Sequence, residues 1–199
     1  DMLHQIMNDV APGVALLGEA IVEPEEIVRY FGSSTQECDV MYNATFMVNL
    51  WNAISTKDAR LLRIDQSRLT PTLQGTWINY ARCHDDIGWG FNEQAVSNMG
   101  FSPFEHKQFL IQFYLGTHPY SFAKGKLYEF NPITLDARNS GRLASLVGLE
   151  KAQHLKDRYQ YELALKRIHL LHAVLLSSKG IPFIYSGDEL ATINDESYL

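Results

Sequence analysis

The sequence predicts an α/β fold with a parallel sheet, and three features of the chain lead to that prediction. Short apolar runs typical of buried strands alternate with segments in which apolar residues repeat at helical spacing. Strands that alternate with helices are usually parallel, because each helix carries the chain back along the sheet. Carboxylates follow three of the four predicted strands. Since the carboxyl ends of parallel strands meet at one edge, these acids are candidates for one site.

The composition is that of an acidic globular protein. The chain has 199 residues, enough to bury a core, and 46% of them are hydrophobic. The net charge of −6, without a basic block, argues against nucleic acid or an anionic membrane as a partner. No apolar run approaches the roughly 18 residues of a membrane-spanning helix. Cys38 and Cys83 lack metal or disulfide spacing, so we expect reduced thiols, a cytoplasmic location, and no metal or cofactor.

The first half of the chain predicts two strands and a helix between them. Residues 14–17 form a short apolar run, typical of a strand that is buried on both faces. A helix should begin at Pro24, which suits a first helical position, and end at Gly32. Residues 39–42 form a weaker second strand.

Two helices and a third strand follow. Apolar residues repeat at helical spacing over residues 46–54, and Thr56 is predicted to cap the N-terminus of the next helix. Residues 77–80 mix aromatic and β-branched side chains and predict the third strand. It leads directly into His84-Asp85-Asp86.

After Trp89 the alternation stops, which predicts an inserted subdomain. This region has one clear helix, with Ser102 as its N-cap and Gly116 as its end, and a second short helix is predicted from Ser140. The alternation resumes with a long helix that ends near Gly180. Its apolar stripe comprises Tyr161, Ala164, Leu165, Ile168, Leu171 and Leu175. Residues 181–185 are the fourth predicted strand.

The acids at the strand ends are of the kind that glycoside cleavage needs. Two carboxylates flank the scissile bond in most glycosidases, one as a proton donor and one ionised. Glu19, after the most apolar strand, is the better candidate acid. Asp85, beside His84, is the better candidate for an ionised group that faces the positive charge of the transition state.

Other interpretations of these residues remain open. Glu19 is also compatible with a solvated carboxylate. The pair of His84 and Asp85 is compatible with a structural hydrogen-bond network, or with the metal ligands of a phosphohydrolase. Asp188 and Glu189 follow the fourth strand and are predicted to be mainly structural. His169 and His172 lie within the long helix and are predicted to be packing or surface residues.

Three ordered motifs resemble the α-amylase superfamily, glycoside hydrolase family 13. Residues 79–89 resemble the motif after its seventh barrel strand, in the His-Asp-Asp-Ile-Gly-Trp form of amylosucrases. Residues 18–22 resemble its fifth-strand motif, and residues 180–189 resemble its eighth-strand segment. Residues 104–110 and 128–132 resemble the subdomain that amylosucrases insert between strand seven and helix seven.

The resemblance implies a partial TIM (β/α)8 barrel, strands five to eight, with an inserted subdomain between strand seven and helix seven. Residues 1–89 would hold strands five to seven, residues 90–152 the subdomain, and residues 153–199 helix seven and strand eight. The first residues are similar to the tail of a helix, so we expect a piece of a longer protein whose N-terminal half-barrel is its partner.

The resemblance also implies roles for individual residues. Glu19 would be the general acid/base and Asp85 the transition-state stabiliser, and His84 would bind hydroxyls of the glucosyl unit. Asp86 would contact the acceptor sugar together with Arg138 of the insertion, for which an exposed structural arginine is the alternative.

The function implied is retaining glucosyl transfer from, or hydrolysis of, sucrose or a related α-glucan or oligosaccharide. The family's nucleophilic aspartate lies at the end of strand four, which precedes this sequence, so we expect this chain to be inactive alone. The alternative is a non-catalytic amylase-like module that binds carbohydrate or protein.

Overall fold

The computed structural model describes residues 2–20, 24–32, 37–68 and 75–197, and it confirms an α/β fold with a parallel sheet. The strands are β1 (Leu17–Gly18), β2 (Val40–Tyr42), β3 (Thr76–Tyr80), β4 (Lys126–Tyr128), β5 (Arg138–Ser140) and β6 (Ile181–Phe183). The helices are α1 (Met2–Val10), α2 (Pro24–Ile27), α3 (Ala44–Thr56), α4 (Arg60–Arg68), α5 (Glu93–Asn98), α6 (Pro103–Leu115), α7 (Leu143–Leu146), α8 (Leu149–Leu155) and α9 (Arg158–Ser177). Among the helices in these ranges, none has the length and apolar character needed to cross a bilayer.

Four strands form the parallel sheet in the order β1-β2-β3-β6, so neighbours in space are also successive sheet strands along the chain. Helix α2 connects β1 to β2, and α3 and α4 connect β2 to β3. All elements from α5 to α9 lie between β3 and β6, and they include a separate antiparallel pair formed by β4 and β5. Helical crossovers that join neighbouring parallel strands produce this order.

Two buried asparagines tie three of the four strands together. Asn43 Nδ2 donates to Asn79 Oδ1 at 2.9 Å, and Asn79 Nδ2 donates to the carbonyl of Lys179 at 2.7 Å. Asn43 also caps α3 by accepting from the backbone N–H of Phe46. Because an unpaired amide in the interior is costly, this bridge fixes the carboxyl ends of β2 and β3 and the start of β6 relative to one another.

The main core joins the sheet to the elements inserted after β3. Trp51 of α3 packs edge-on against Tyr114 of α6 at 5.3 Å between ring centroids, and Trp89 stacks on Tyr114 at 5.2 Å. The Tyr114 hydroxyl donates to the carbonyl of Trp51, and Trp51 Nε1 donates to the carbonyl of Ala81 at 2.8 Å. The inserted helices therefore share a core with α3, and the limits of a subdomain at residues 90–152 stay a prediction.

The first strand is shorter and more exposed than the sequence predicts. It comprises Leu17–Gly18 rather than residues 14–17, and Val14 and Leu17 are 50% and 45% exposed. Burial on both faces was therefore a wrong expectation, since Val14 and Leu17 are both exposed; β1 is also an edge strand of the described sheet. A Cβ at Gly18 would lie 2.2 Å from the Sδ of Met41, so a larger residue there would displace the buried Met41 side chain.

Several predicted helix boundaries are confirmed. Helix α2 begins at Pro24 and continues as a 3-10 turn to Phe31, and Gly32 follows with a φ of 84°. Helix α6 begins after Ser102, whose hydroxyl accepts from the N–H of Glu105, and ends at Gly116 with a φ of 92°. The long α9 has the predicted apolar stripe against the core.

Two predicted helix starts were wrong. Thr56 is the last residue of α3, and its hydroxyl donates back to the carbonyl of Asn52 at 2.7 Å, while α4 begins later with Asp58 bonded to the Arg60 N–H. Ser140 belongs to β5, and the short helix that follows it begins at Leu143.

The last helix and strand also end earlier than predicted. Ser178, rather than Gly180, is the C-cap of α9, and β6 ends at Phe183 rather than at residue 185. Gly180 has a φ of 123°, and a Cβ there would lie 2.6 Å from the carbonyl oxygen of Trp77. Close approach to β3, rather than helix termination, therefore requires this glycine.

Candidate active site

A cavity of about 250 Å³ opens at the carboxyl ends of β1, β2 and β3. Glu19 directly follows β1, and Asp85 and Asp86 lie in the loop after β3; all three line the cavity. Tyr42 and Tyr80, the last residues of β2 and β3, form part of its wall. The parallel register of the strands thus brings together acids that are far apart in the sequence, as the positions of the strand ends predicted.

Glu19 lines this cavity and has His84 as a close neighbour, although His84 is not itself a lining residue. The distance from Glu19 Oε1 to His84 Nε2 is 3.8 Å, and the two side chains are 50% and 62% exposed. Both groups are therefore accessible to solvent, and Glu19 is accessible to a ligand in the cavity.

Asp85 is held in place through both its backbone and its side chain. Buried Arg82 donates from Nη1 to the backbone carbonyl of Asp85 at 2.7 Å. The backbone N–H of Asp86 donates to Asp85 Oδ1 at 2.7 Å, and Arg138 Nη1 lies 3.5 Å from Asp85 Oδ2. The carboxylate therefore has a fixed position and a neighbouring cation.

Arg138 reaches the site from the insertion. Its strand, β5, is joined to the loop after β3 by two backbone hydrogen bonds between Ile87 and Asn139. The partly exposed guanidinium lies between Asp85 and Glu129, and the distance from its Nε to Glu129 Oε2 is 3.1 Å. Arg138 thus lies against Asp85, beside the cavity rather than in its lining, and the sequence had not pointed to Glu129.

The cavity wall contains phenol and thiol groups that stay protonated. Burial, followed by the nearby Cys83 and Glu19, raises the pKa of Tyr42, and burial also raises the pKa of Tyr80 far above its usual range. Burial raises the pKa of the Cys83 thiol as well, although the charge of Arg82 opposes this. Neutral groups beside Glu19 offer hydrogen-bond donors without adding charge. Single aromatic residues on strands resemble core residues, so the sequence did not single them out.

Arg82 also lies beside Asp188, which follows β6. Asp188 is 2% exposed, and burial raises its pKa, while the charge of Arg82 and a hydrogen bond from the Leu143 N–H oppose the rise. Arg82 lies over the ring of Tyr185 at 6.0 Å. Because these contacts connect the segment after β6 to the loop after β3, Asp188 has a structural environment, in agreement with the sequence.

The remaining candidates are away from the cavity. Glu189 accepts from the backbone N–H of Gly187 at 2.8 Å and so closes a turn. His172 Nδ1 contacts the carbonyl of Ile168 at 3.0 Å within α9, and His169 is exposed on the same helix. Across the ranges of the chain that the structure describes, no group of three or more His, Cys, Asp or Glu side chains is placed to hold a metal ion.

Comparison with known proteins identifies distant relatives. No family model matches the chain. It is 25% identical over 197 residues to glucosylglycerate phosphorylase of Escherichia coli (strain K12), covering 98% of this chain and 32% of that protein. It is 27% identical over 191 residues to trehalose synthase of Thermus thermophilus, covering 94% of this chain and 16% of that protein.

The fold is similar to that of sucrose 6F-phosphate phosphorylase from Thermoanaerobacter thermosaccharolyticum. The TM-score is 0.60 at 13% identity, over 100% of this chain and 36% of that one. The two proteins matched by sequence are named as a glucosylglycerate phosphorylase and a trehalose synthase, which agrees with the wider expectation of a relative of sugar-active enzymes. None of the three is named an amylosucrase, so that narrower expectation stays a prediction.

Proposed function

We propose that this chain supplies the acid/base side of a retaining α-glucoside-active enzyme of the α-amylase superfamily, similar to amylosucrase. The observation that carries the proposal is that Glu19 and Asp85, from the ends of two different strands, line one accessible cavity. The proposed substrate is sucrose or a related α-glucan, and the product is a transferred or hydrolysed glucosyl unit.

The proposed reaction is a double displacement. In the first step Glu19 protonates the leaving oxygen, while a carboxylate outside this chain attacks the anomeric carbon and forms a glucosyl ester. Asp85 remains ionised and stabilises the positive charge that develops on the sugar. In the second step Glu19 removes a proton from the acceptor hydroxyl, whose oxygen displaces the ester.

The other candidates take positions around this centre. His84 lies 3.8 Å from Glu19 and is exposed, which suits a donor to the hydroxyls of the glucosyl unit. Asp86 lines the cavity beyond Asp85, and we assign it to the acceptor side. Arg138 contacts the Asp85 carboxylate at 3.5 Å, so its role at the acceptor would also involve orienting Asp85.

The proposed partner of this chain is the other half of a (β/α)8 barrel. β1 and β6 are the two edge strands of the described sheet. Large apolar side chains are exposed at and near both edges, namely Val14, Leu17, Ile181, Ile184 and Leu190. Open edges flanked by apolar residues favour pairing with further strands. For the 199-residue chain alone we expect no release of glucose or fructose from sucrose.

The test is product analysis of a protein that contains this chain within a complete barrel. We expect it to consume sucrose and to give glucose or a glucan with retained α configuration, measured by proton NMR before mutarotation. Release of β-glucose as the first product, or no activity on any α-glucoside, would refute the proposal.

A second candidate is phosphorolysis, and it is favoured by the names of two of the proteins found in the comparisons. In that reaction inorganic phosphate replaces the acceptor hydroxyl and the product is α-glucose 1-phosphate. The same assay separates the two functions: phosphate-dependent formation of glucose 1-phosphate favours the phosphorylase, and formation of glucan without phosphate favours the amylosucrase-like enzyme.

A further inference from the structure

A second cavity, of about 700 Å³, shares no lining residue with the candidate active site. It lies between the end of α3, the loop after α6 and the first half of α9. Lys57 lies at its α3 side, residues 118–122 form the loop side, and Tyr159 and Arg167 project from α9. The proposed glucosyl transfer uses none of these residues.

The charges around this cavity favour an anion. Lys57, Lys151 and Arg167 line it, and Asp157 is the acid among the described lining residues. The Asp157 carboxylate is already used, because it accepts from the Gln160 N–H at 3.0 Å and caps α9. None of the three cations has an ion pair within the described parts of the chain. This excess of positive charge occurs in a chain whose net charge is −6.

Arg167 is the most constrained of the three cations. Its guanidinium lies 3.7 Å above the centroid of the Phe122 ring and donates from Nη1 to the carbonyl of Val147 at 3.0 Å. A guanidinium has five N–H donors, so most of them remain for a ligand. Burial lowers the pKa of Arg167 but leaves an arginine charged at neutral pH. In such a half-buried position, a hydrogen bond to an anion is stronger than at an open surface.

Aromatic rings extend from the core to the rim of the same cavity. Phe113 contacts His118 at 6.2 Å between ring centroids, and His118 contacts Tyr120 at 5.8 Å. Tyr120 is 86% exposed, and Tyr159 on the α9 side is 70% exposed. Two exposed aromatic faces beside three cations suit a ligand that has both a flat or apolar ring face and an anionic group.

We propose that this cavity binds a phosphate monoester carried on a sugar or nucleoside ring. Lys57, Lys151 and Arg167 contact the phosphate, and Tyr120 or Tyr159 stacks on the ring. Sugar phosphates and nucleoside monophosphates share this chemistry, and the experiment distinguishes between them.

The test is calorimetric titration of the 199-residue chain with glucose 6-phosphate, AMP and inorganic phosphate in separate experiments. We expect glucose 6-phosphate or AMP to bind at least about tenfold more tightly than inorganic phosphate, because stacking adds to the charge interaction. Whichever of glucose 6-phosphate and AMP binds more tightly shows whether the cavity takes a sugar phosphate or a nucleoside monophosphate. Failure of both to bind, or affinities equal to that of inorganic phosphate, would overturn the proposal.

Variants then locate the site. Lys57→Gln and Lys151→Gln should each weaken binding by about tenfold, the effect of one lost charge-assisted hydrogen bond. Tyr120→Ala and Tyr159→Ala are the corresponding tests of stacking, and at least one should reduce the preference over inorganic phosphate. Exposed Lys166→Gln is the matched control on α9 and should leave the affinity unchanged.

Binding at the candidate active site is excluded by one further variant. Glu19→Gln should leave the affinity for the ring-bearing phosphate unchanged, since Glu19 does not line this cavity. Two results would contradict the proposed site. One is that Glu19→Gln abolishes binding of the ring-bearing phosphate, and the other is that both lysine variants bind it as tightly as the original chain does. Lys57 is exposed, so circular dichroism of Lys57→Gln should match that of the original chain.

Discussion

Replacement of Arg82 by methionine tests how the loop that carries Asp85 is held. Arg82 is 7% exposed, its Nη1 donates to the Asp85 carbonyl at 2.7 Å, and its charge lies beside Asp188, which is 2% exposed. The lost hydrogen bond from a charged donor is worth about 1.5–3 kcal/mol. Removal of the cation also removes the charge that lowers the pKa of the buried Asp188 carboxylate, which keeps its hydrogen bond from the Leu143 N–H, so the total loss should reach about 3–5 kcal/mol.

The two contributions can be separated with a double-mutant cycle. In an Asp188→Asn background no buried carboxylate remains, so Arg82→Met should cost only the hydrogen bond, and the coupling energy should be about 1–3 kcal/mol. The assay is urea unfolding of the four proteins at pH 7, followed by tryptophan fluorescence. Effects of the two substitutions that add to within about 0.5 kcal/mol would show that Arg82 does not compensate Asp188.

Three further predictions concern the site and the sheet. In a protein with a complete barrel, Asp85→Asn should lower kcat by several orders of magnitude, and a loss below about tenfold, or 1.4 kcal/mol of barrier, would make Asp85 structural. Asn79→Ala leaves the buried Asn43 amide without its partner and removes the bond to the carbonyl of exposed Lys179, so urea unfolding of the chain should show a loss of about 1–3 kcal/mol. Because burial raises the pKa of Asp188 above 3.8, the folded chain binds more protons than the unfolded chain above that pH. The free energy of unfolding should therefore decline as pH rises through the folded pKa, and Asp188→Asn should reduce that decline; an identical pH profile in the variant would contradict the shift.

Local signals in the sequence predicted most of the elements. Ser102 and Gly116 correctly marked the two ends of α6, because an N-cap hydroxyl and a left-handed glycine act within one turn of the helix. The meeting of Glu19 and Asp85 followed from the alternation of strands and helices, since parallel strands end at the same edge.

Other features could not be predicted in the same way, because two local signals compete at the same residue or because the feature depends on distant contacts. Thr56 has the chemistry of an N-cap, but its hydroxyl bonds within the preceding helix instead. Gly180 was interpreted as a helix end, although its proximity to the backbone of Trp77 requires it. The neighbourhood of Arg82 with Asp188, and that of Glu129 with Arg138, form only in the folded chain, and an isolated arginine or glutamate has no pattern in a sequence.

The measurement that tests the central claim most directly is turnover of sucrose by Glu19→Gln in a protein with a complete barrel. Glutamine keeps the shape of the side chain at the cavity mouth but has no proton to give or take at the leaving oxygen. We expect kcat to fall by at least about a thousandfold with unchanged circular dichroism. Glu162→Gln, an exposed position on α9, should retain full activity as the matched control. Near-normal turnover by Glu19→Gln would contradict the assignment of Glu19 as the acid/base and, with it, the proposed function of this cavity.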